Sequence, residues 1–354
     1  MCIRDRVRII GEDDWTGFAA GHRGWSIEFV MQQASITERI DNITEIRDEY
    51  LSETPPCPKS VKIELTALCN FSCQFCARSK HLREVGEIDR GFFERLLVDL
   101  LRAGVDELGL FYLGESFLVP WLPEAIKYAK DIGFPYVFLT TNGSLSTPEK
   151  VGACMEAGLD SLKFSFNYSD PKHFAAITKK PEGKYAEIVS NLKEAWRVRS
   201  EGGYSCGLYA SYIMFEGERQ RQKMTGIVED IEPYTDEVYA LPLYSQAAHI
   251  KQENGTRWVF TGGNPGRYDK MRAPIPCWAL FTEGHVTWDG RLSACCFDHD
   301  GRFDMGDLKT TAFMDAWHSP KFRELRAAHL RREVVRTVCE QCVSYEINGC
   351  KTRG

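Results

Sequence analysis

Apolar positions along the chain follow two spacings, and the change between them falls at a proline-rich segment, residues 55–58. Before it, a polar helix over residues 35–50 is predicted by the helical spacing of Ile36, Ile40, Ile43 and Ile46. After it, apolar runs predict six strands, at residues 61–65, 108–113, 136–140, 161–167, 208–215 and 237–243. Six strand–helix repeats predict a parallel α/β sheet or a partial barrel, because a complete (β/α)8 barrel needs eight.

The segments between the runs carry helix signals. Asp89 opens one helix, whose large apolar residues share a face and which stops near Gly104. Thr147 and Pro148 give another helix an N-cap and a proline in its first turn. These signals place helices between the predicted strands, as a parallel sheet requires.

The strand–helix rhythm ends near residue 250, where glycine, asparagine and proline accumulate. A hairpin is then predicted for residues 285–288 and 291–295, followed by a helix over 320–332 and a cysteine-rich tail. From these changes we expect an N-terminal extension (1–58), an α/β unit (59–250) and a smaller unit (251–354).

The composition excludes several classes of protein. Of 354 residues, 43% are hydrophobic and 27% charged, which is an ordinary globular mix, and no apolar run reaches the ~18–20 residues of a membrane span. A net charge of −6 argues against a general nucleic-acid or anionic-membrane binder, and the basic stretch 320–336 is interpreted as a solvated helix face. Without an evident signal peptide, we expect a cytoplasmic protein, in which clustered cysteines indicate metal or redox chemistry.

Thirteen cysteines are the informative excess. Three of them, Cys69, Cys73 and Cys76, give the spacing C-x3-C-x2-C directly after the first predicted strand. Three thiolates on one short loop suit an iron–sulfur cluster, and they leave one iron of a four-iron cluster without a protein ligand. An iron without a protein ligand indicates a catalytic site, because structural metal sites have all their positions filled by protein ligands. A structural zinc site with His81 as the fourth ligand is the alternative.

This loop, with Phe75 before its last cysteine, resembles the C-x3-C-x-aromatic-C signature of the radical S-adenosylmethionine (SAM) enzymes. The resemblance implies a partial (β/α)6 barrel, in which the amino and carboxylate groups of SAM bind the open iron of a [4Fe-4S] cluster. Reduction of the cluster would cleave SAM and give a 5′-deoxyadenosyl radical. Phe75 would pack near the adenine through its flat apolar face.

Further SAM contacts implied by the resemblance follow the second and fourth strands. Gly114 and Glu115 match two positions of the family's Gly-Gly-Glu-Pro motif, which contacts the SAM amino group, and the other two positions depart from it. In the fourth strand, Lys163, Ser165 and Asn167 share one face and would line the inside of the barrel. Ser165 and Asn167 are candidates for contacts with the SAM ribose.

A second group of cysteines comprises Cys277, Cys295, Cys339 and Cys342. With Gly290 five positions before Cys295, this run resembles the SPASM domain, a C-terminal extension of many radical SAM enzymes that holds auxiliary iron–sulfur clusters. Four cysteines can saturate one auxiliary [4Fe-4S] cluster, which suits an electron conduit or a structural centre. A zinc ribbon is the alternative. Whether Cys296 or Cys350 joins a further cluster is open.

Together these features predict an α/β protein, a partial (β/α)6 barrel with a smaller cysteine-rich SPASM domain, that abstracts a hydrogen atom from a substrate. Because one saturated auxiliary cluster could accept an electron, we expect a two-electron oxidation of a small polar metabolite resembling a sugar or aminocyclitol. The alternatives are a peptide- or protein-modifying maturase and a non-catalytic iron–sulfur electron carrier. Expected partners are a small-molecule or peptide substrate and an electron donor of the flavodoxin or ferredoxin type, with no nucleic acid and no membrane.

Overall fold

The computed structural model describes residues 35–216, 218–250, 258 and 260–343. Its strands are β1 (Ser60–Ile63), β2 (Glu107–Gly109), β3 (Tyr136–Thr141), β4 (Ser161–Ser165), β5 (Gly207–Met214), β6 (Glu237–Tyr244), β7 (Phe260–Thr261), β8 (Glu283–Val286), β9 (Arg291–Ser293) and β10 (Asp304–Asp307). They form one sheet in the order β10-β9-β8-β1-β2-β3-β4-β5-β6-β7.

The described α-helices are α1 (Ile36–Thr44), α2 (Arg90–Ala103), α3 (Leu122–Ile132), α4 (Pro148–Glu156), α5 (Pro171–Thr178), α6 (Gly183–Gly202), α7 (Glu218–Ile231), α8 (Phe313–Trp317), α9 (Pro320–Leu330) and α10 (Glu340–Val343). The Asp89 side chain caps α2 as predicted, by accepting from the N–H of Phe92 at 2.7 Å. Only α5 was missed within the barrel segment, because eight residues give too short an apolar period. Of the helices in these ranges, none has the length and hydropathy needed to cross a lipid bilayer.

Strands β1 to β6 run parallel, each paired with the next along the chain. Helices connect most of these strands, as parallel pairing requires. The strand order has two edges, β10 and β7, so the sheet does not close into a complete barrel. The predicted α/β class and partial barrel are therefore confirmed.

The predicted C-terminal hairpin is present as β8 and β9, with Val286 opposite Leu292 in antiparallel pairing. Its first strand also has a partner that the sequence did not indicate. Strand β8 runs parallel to β1, with Val61 opposite Gly284, so the C-terminal segment extends the sheet of the barrel. The division of the chain at residue 250 stays a prediction.

The two faces of the sheet differ in polarity. In β4, Leu162 and Phe164 are fully buried in the apolar core, whereas Ser161 and Lys163 line a cavity on the inner face. Helix α1 contributes to the same cavity: Arg39 lies 2.7 Å from the Glu107 carboxylate and its guanidinium 3.4 Å from the centroid of the Tyr136 ring. The inside of the barrel therefore contains a cavity that carries charged side chains and that α1 helps to line.

Candidate active site

The first three cysteines lie on the loop after β1, which Arg78 holds in shape. Its Nη2 donates to the carbonyl oxygens of Cys69 and Phe71, at 3.1 and 3.0 Å. Burial raises the pKa of Cys73 well above its ordinary value, and the thiols of Cys76 and Cys69 raise it further. The three sulfurs are thus close enough to influence one another's pKa. Bound iron would lower these pKa values, because a metal ion favours the thiolate over the thiol.

Phe75 packs in a small apolar group with Ile177, Phe215 and Leu243. Its ring centroid lies 5.5 Å from that of Phe215. Phe215 directly follows β5, and Leu243 is near the end of β6. The ring expected to contact adenine is therefore at the C-terminal ends of the strands, where barrel enzymes bind their ligands. The contact itself stays a prediction.

Gly114 fits against the backbone of the cysteine loop. A Cβ atom at this position would lie 2.0 Å from the carbonyl oxygen of Thr66 and 2.7 Å from that of Leu68, so a larger residue does not fit. The next residue, Glu115, donates its N–H to the Leu68 carbonyl at 2.8 Å. This approach to the loop explains why β2 ends at Gly109, before the predicted end at residue 113: the chain has to leave the sheet to reach the loop.

The Glu115 carboxylate is buried and accepts three hydrogen bonds. The donors are Thr141 Oγ1 and the N–H of Asn142, both at 2.8 Å, and the N–H of Phe117 at 3.2 Å. Burial raises the pKa of Glu115, and these bonds lower it. Burial raises the pKa of Cys69 most, and the negative charge of Glu115 raises it further. The carboxylate is therefore fixed close to the cysteine loop, and its contact with the SAM amino group stays a prediction.

A cavity of about 310 Å³ occupies the inside of the barrel. Lys62 of β1 and Lys163 of β4 line it, and Lys62 forms an ion pair of 2.7 Å with Glu283 of β8. Among the described residues, Lys163 has no such carboxylate partner, and its Nζ lies 5.8 Å from the centroid of the Tyr239 ring. Burial and the charge of Lys62 lower the pKa of Lys163 to about 7. The charge of Glu283 opposes this lowering, so Lys163 shares the carboxylate that pairs with Lys62 and has no ion pair of its own among the described residues.

Ser165 and Asn167 lie at the C-terminal end of β4, on the face that carries Lys163, and both are half-buried. The helix that follows, α5, contacts the first cysteine loop: the N–H of Gln74 donates to the Ile177 carbonyl at 2.9 Å. The fold thus brings the polar end of β4 and the cysteine loop to the same edge of the sheet. A contact with the SAM ribose stays a prediction.

Five cysteines line a second cavity: Cys277, Cys295, Cys296, Cys339 and Cys342. Burial raises the pKa of Cys277 well above its ordinary value, and nearby thiols raise it further. The N–H of Phe297 donates to the Cys295 sulfur at 3.3 Å. The structure therefore brings together the four predicted ligands of the auxiliary cluster and adds Cys296. Cys350 lies outside the described residues.

Cys296, whose role the sequence left open, and Tyr112, which the sequence did not single out, connect the two cavities. Cys296 lines both of them, and the Nδ2 of Asn264 donates to its sulfur at 3.1 Å. Tyr112 lines the barrel cavity, and its hydroxyl donates to the carbonyl oxygen of Cys295. No local pattern marks Tyr112 or places Cys296 between the cavities, because their neighbours come from distant parts of the chain. The second cysteine group therefore adjoins the space inside the barrel.

Zinc was the alternative to an iron–sulfur cluster at both cysteine groups. Within the part of the chain that the structure describes, no three Cys, His, Asp or Glu side chains are close enough to hold a single metal ion. A four-iron cluster is larger than one ion and spreads its thiolate ligands farther apart. His81, the alternative zinc ligand, is exposed. The iron–sulfur families that match this chain, rather than these side-chain positions, decide between a cluster and zinc.

Two sequence families match this chain. The Radical SAM superfamily matches residues 63–215, and SPASM, an iron–sulfur cluster-binding domain, matches residues 277–343. The two matched segments contain, respectively, the loop of Cys69 and the cysteines from Cys277 to Cys342.

Curated relatives carry the name GTP 3′,8-cyclase. The probable enzyme of Methanothermobacter marburgensis is 31% identical over 77% of this chain and 94% of its own length. That of Methanothermobacter thermautotrophicus is 31% identical over 70% of this chain and 87% of its own length. The enzyme of Chlorobaculum tepidum is 32% identical over 34% of this chain, a match that spans 36% of that relative.

Solved structures of low sequence identity share the fold. Streptococcus suis SuiB bound to precursor peptide SuiA has a TM-score of 0.60 and 13% identity, over 77% of this chain and 68% of that one. BtrN in complex with AdoMet and 2-DOIA has a TM-score of 0.53 and 16% identity, over 82% of this chain and 93% of that one. At these identities the likeness supports the fold alone.

The comparisons confirm several predictions made from the sequence. The chain is an iron–sulfur enzyme of the radical SAM type, and its cofactors are a SAM-binding [4Fe-4S] cluster, one auxiliary [4Fe-4S] cluster and SAM. A small-molecule substrate agrees with the relatives.

The expected oxidation of a sugar or aminocyclitol-like metabolite is wrong, and so are the peptide-maturase and electron-carrier alternatives. Relatives matched over 87% and 94% of their own length are named GTP 3′,8-cyclases instead. The expectation rested on the number of cysteines available to the auxiliary cluster. A saturated cluster is compatible with many reactions, so the number of ligands does not identify a substrate.

Proposed function

Because the chain belongs to the radical SAM superfamily and carries a C-terminal SPASM domain, we propose that it abstracts a hydrogen atom from a purine nucleoside triphosphate. The proposal is supported by the names of the relatives and by the charge and lining of the barrel cavity. With SAM bound, the reduced cluster would supply the electron for SAM cleavage, and SAM would thereby provide the radical for this abstraction.

We assign the cofactor ligands as follows. The SAM-binding cluster is held by Cys69, Cys73 and Cys76. The auxiliary cluster is held by Cys277, Cys295, Cys339 and Cys342. SAM is contacted by Phe75, Gly114, Glu115, Ser165 and Asn167. In this proposal residues 59–250 form the barrel and residues 251–354 the SPASM domain, after an extension over 1–58.

Lys163 is the observation that carries the substrate proposal. It lines the barrel cavity without an ion-paired carboxylate among the described residues. Burial and the charge of Lys62 lower its pKa to about 7, against the opposing charge of Glu283. A buried cation is stabilised by an opposite charge, so this position favours an anionic group of the substrate. A phosphate provides that charge and accepts hydrogen bonds from an ammonium group.

The rest of the lining suits a nucleobase. The volume of about 310 Å³ falls at the lower end of the ~300–1,000 Å³ usual for ligand pockets. Aromatic residues of the lining include Phe111, Tyr136, Tyr239 and Phe297. Their rings offer flat apolar faces on which a purine can stack.

The SAM-binding cluster also needs an external source of single electrons. We propose a protein donor of the flavodoxin or ferredoxin type in the cytoplasm, where thiolate ligands stay reduced.

Substrate-dependent cleavage of SAM tests the proposed function. The reconstituted, chemically reduced chain is incubated with SAM and with GTP, ATP or guanosine, and the release of 5′-deoxyadenosine is measured by mass spectrometry. GTP should increase the release, and GTP deuterated on its ribose should transfer deuterium into 5′-deoxyadenosine. Guanosine should act poorly because it lacks the phosphates that Lys163 binds. Release that is the same with and without every nucleotide would contradict the proposal.

Replacement of Lys163 gives the matched test of the cavity. Lys163→Met keeps the aliphatic stem and removes the charge, so the KM for GTP should rise roughly 10–150-fold, which corresponds to the ~1.5–3 kcal/mol of a charged hydrogen bond. GTP binding to the unsubstituted chain should weaken as the pH rises above about 7, where Lys163 loses its proton, and the variant should lack this dependence. The control is Lys172→Met, at an exposed position of α5. An unchanged KM for Lys163→Met would show that Lys163 does not bind the nucleotide.

A further inference from the structure

The Nε2 atom of His329 is buried and, among the described residues, has no hydrogen-bond partner. His329 lies on α9 and its side chain is fully buried, with 0% exposed. It lines the cavity of the second cysteine group. A buried polar atom without a partner is unfavourable, so a partner is expected when this cavity holds its cofactor.

The other ring nitrogen determines where the hydrogen of His329 is. The backbone N–H of Cys277 donates to Nδ1 at 3.2 Å. A nitrogen that accepts a hydrogen bond carries no hydrogen itself, so the neutral ring carries its hydrogen on Nε2. Nε2 is therefore a donor, and it cannot bind iron because its lone pair belongs to the ring when the hydrogen is present.

Among the described lining side chains, sulfur and the amide oxygen of Asn264 are the possible acceptors. Besides His329 and the cysteines, Asn264 is the one polar side chain among the described lining residues, and its amide nitrogen already donates to the Cys296 sulfur. The other lining side chains are apolar: Leu280, Ala294, Phe297 and Phe303. An iron–sulfur cluster brings sulfide and thiolate sulfurs, and hydrogen bonds to these atoms help to set its reduction potential.

We propose that His329 donates a hydrogen bond from Nε2 to a sulfur of the auxiliary cluster and thereby raises the reduction potential of that cluster. Reduction adds negative charge to the sulfurs, so a donor stabilises the reduced state more than the oxidised state. His329 is a positioning residue, since it also holds the backbone of Cys277. The inference rests on the proposed cysteine ligands of the auxiliary cluster and is independent of the substrate.

Redox titration of the auxiliary cluster tests the proposal. In the full-length chain, Cys69, Cys73 and Cys76 are replaced by alanine so that only the auxiliary cluster forms, and about four irons per chain then verify the ligand set independently. His329→Asn keeps an acceptor near the position of Nδ1 and lacks a donor at that of Nε2, whereas His329→Gln places an amide N–H there. His318→Asn is the control, because His318 bonds to the Pro55 carbonyl at 2.8 Å and does not line the cavity.

We expect the midpoint potential to fall in His329→Asn. At the potential that half-reduces the parent triple-alanine chain, the ratio of reduced to oxidised cluster should fall about tenfold, which equals about 59 mV for one electron. His329→Gln should recover most of this shift, and His318→Asn should show none. An unchanged midpoint in His329→Asn overturns the proposal, as does a His329→Gln chain that behaves like the asparagine variant.

A second measurement applies if His329→Asn fails to hold the cluster. The triple-alanine chain with His329 intact is labelled with ¹⁵N-histidine and reduced, and its nitrogen hyperfine couplings are recorded. A weak coupling, transmitted through a hydrogen bond, is the expected result. No coupling overturns the proposal, and so does the strong coupling of a nitrogen bound directly to iron.

Discussion

Gly114 and Glu115 are neighbours in the chain, but different forces fix them in place. Gly114 is required by shape, because the carbonyl oxygens of Thr66 and Leu68 occupy the space of a side chain. Glu115 is held by charge and hydrogen bonding, because three donors surround its buried carboxylate. Substitutions at the two positions should therefore impair different properties of the protein.

Gly114→Ala should prevent the SAM-binding cluster from forming. Its Cβ would overlap the backbone that leads into Cys69, and the loop cannot move without displacing that ligand. Iron in the reconstituted chain should fall from about eight to about four per molecule, because only the auxiliary cluster remains. Gly226→Ala in α7 is the control: no atom lies within 4 Å of the added Cβ, and stability should rise by about 0.5–1 kcal/mol. Full iron content in Gly114→Ala would show that the loop adapts.

Glu115→Gln should weaken SAM binding while the cluster stays in place. Loss of the negative charge removes a charge-assisted bond to the SAM ammonium group, which is worth about 1.5–3 kcal/mol, or roughly 10–150-fold in Kd. Calorimetric titration with SAM gives the affinity, and iron analysis verifies the cluster. Thr141→Val removes one donor to Glu115 without changing its charge, so its effect should be smaller. Equal losses in the two variants would mean that Glu115 only shapes the loop.

At the scale of elements, one arginine of α1 contacts two strands of the barrel. Arg39 pairs with Glu107 of β2, and its guanidinium stacks on Tyr136 of β3. Both charged side chains are about one-fifth exposed, so water weakens their attraction only partly. Burial raises the pKa of Glu107 and the charge of Arg39 opposes that effect. Removing the arginine would leave a half-buried carboxylate without its partner.

Arg39→Met should lower the free energy of unfolding by about 1–2 kcal/mol, between the values for exposed and for buried pairs. Denaturant titration of the reconstituted chain measures this change. Glu107→Gln in the same chain should recover part of it, because no unpaired charge then remains. Arg47→Met, which breaks an exposed pair with Glu49, should change stability by less than about 0.5 kcal/mol. Similar losses of stability for Arg39→Met and Arg47→Met would show that the pair of Arg39 with Glu107 stabilises the barrel no more than an exposed ion pair does.

At the scale of the whole molecule, the pairing of β8 with β1 places the SPASM segment beside the barrel cavity. Glu283 of β8 faces Lys62 of β1 at 2.7 Å, and Cys296 lines both cavities. Tyr112 joins the barrel cavity to the backbone of Cys295. The proposed ligands of the auxiliary cluster therefore adjoin the cavity proposed for the substrate.

The two clusters should have separable roles. The reconstituted chain should hold about eight irons, and alanine at Cys69, Cys73 and Cys76 should halve this number. Alanine at Cys339 and Cys342 should preserve some reductive SAM cleavage and abolish substrate turnover, since the auxiliary cluster has no open iron for SAM.

Circular dichroism and iron analysis must first show that the double variant is folded and holds one cluster, because metal binding also stabilises small domains. A folded double variant that releases no 5′-deoxyadenosine, or one with full turnover, would contradict this division. Stoichiometric zinc in anaerobically purified chain would contradict both clusters.

The sequence by itself determined the features that contiguous residues encode. The spacing of Cys69, Cys73 and Cys76 identifies the cofactor because all three ligands come from one loop. The six parallel strands and the hairpin of β8 and β9 follow from local periodicity and turn residues, and the structure confirms them with small shifts at their ends. Lys163 was already placed on the inner face by the alternation along β4, although the sequence could not show that, among the described residues, it has no ion pair.

Only the tertiary structure decided what depends on residues far apart in the chain. No local pattern predicts that β8 lies beside β1, that Cys296 lines two cavities, or that the Nε2 of His329 is buried beside the second cysteine group. The substrate class was wrong at the sequence level for the same reason. Substrate recognition depends on groups such as Lys62 and Lys163, which converge only when separate strands fold around one space, whereas the cysteine motifs carry information about the cofactors alone.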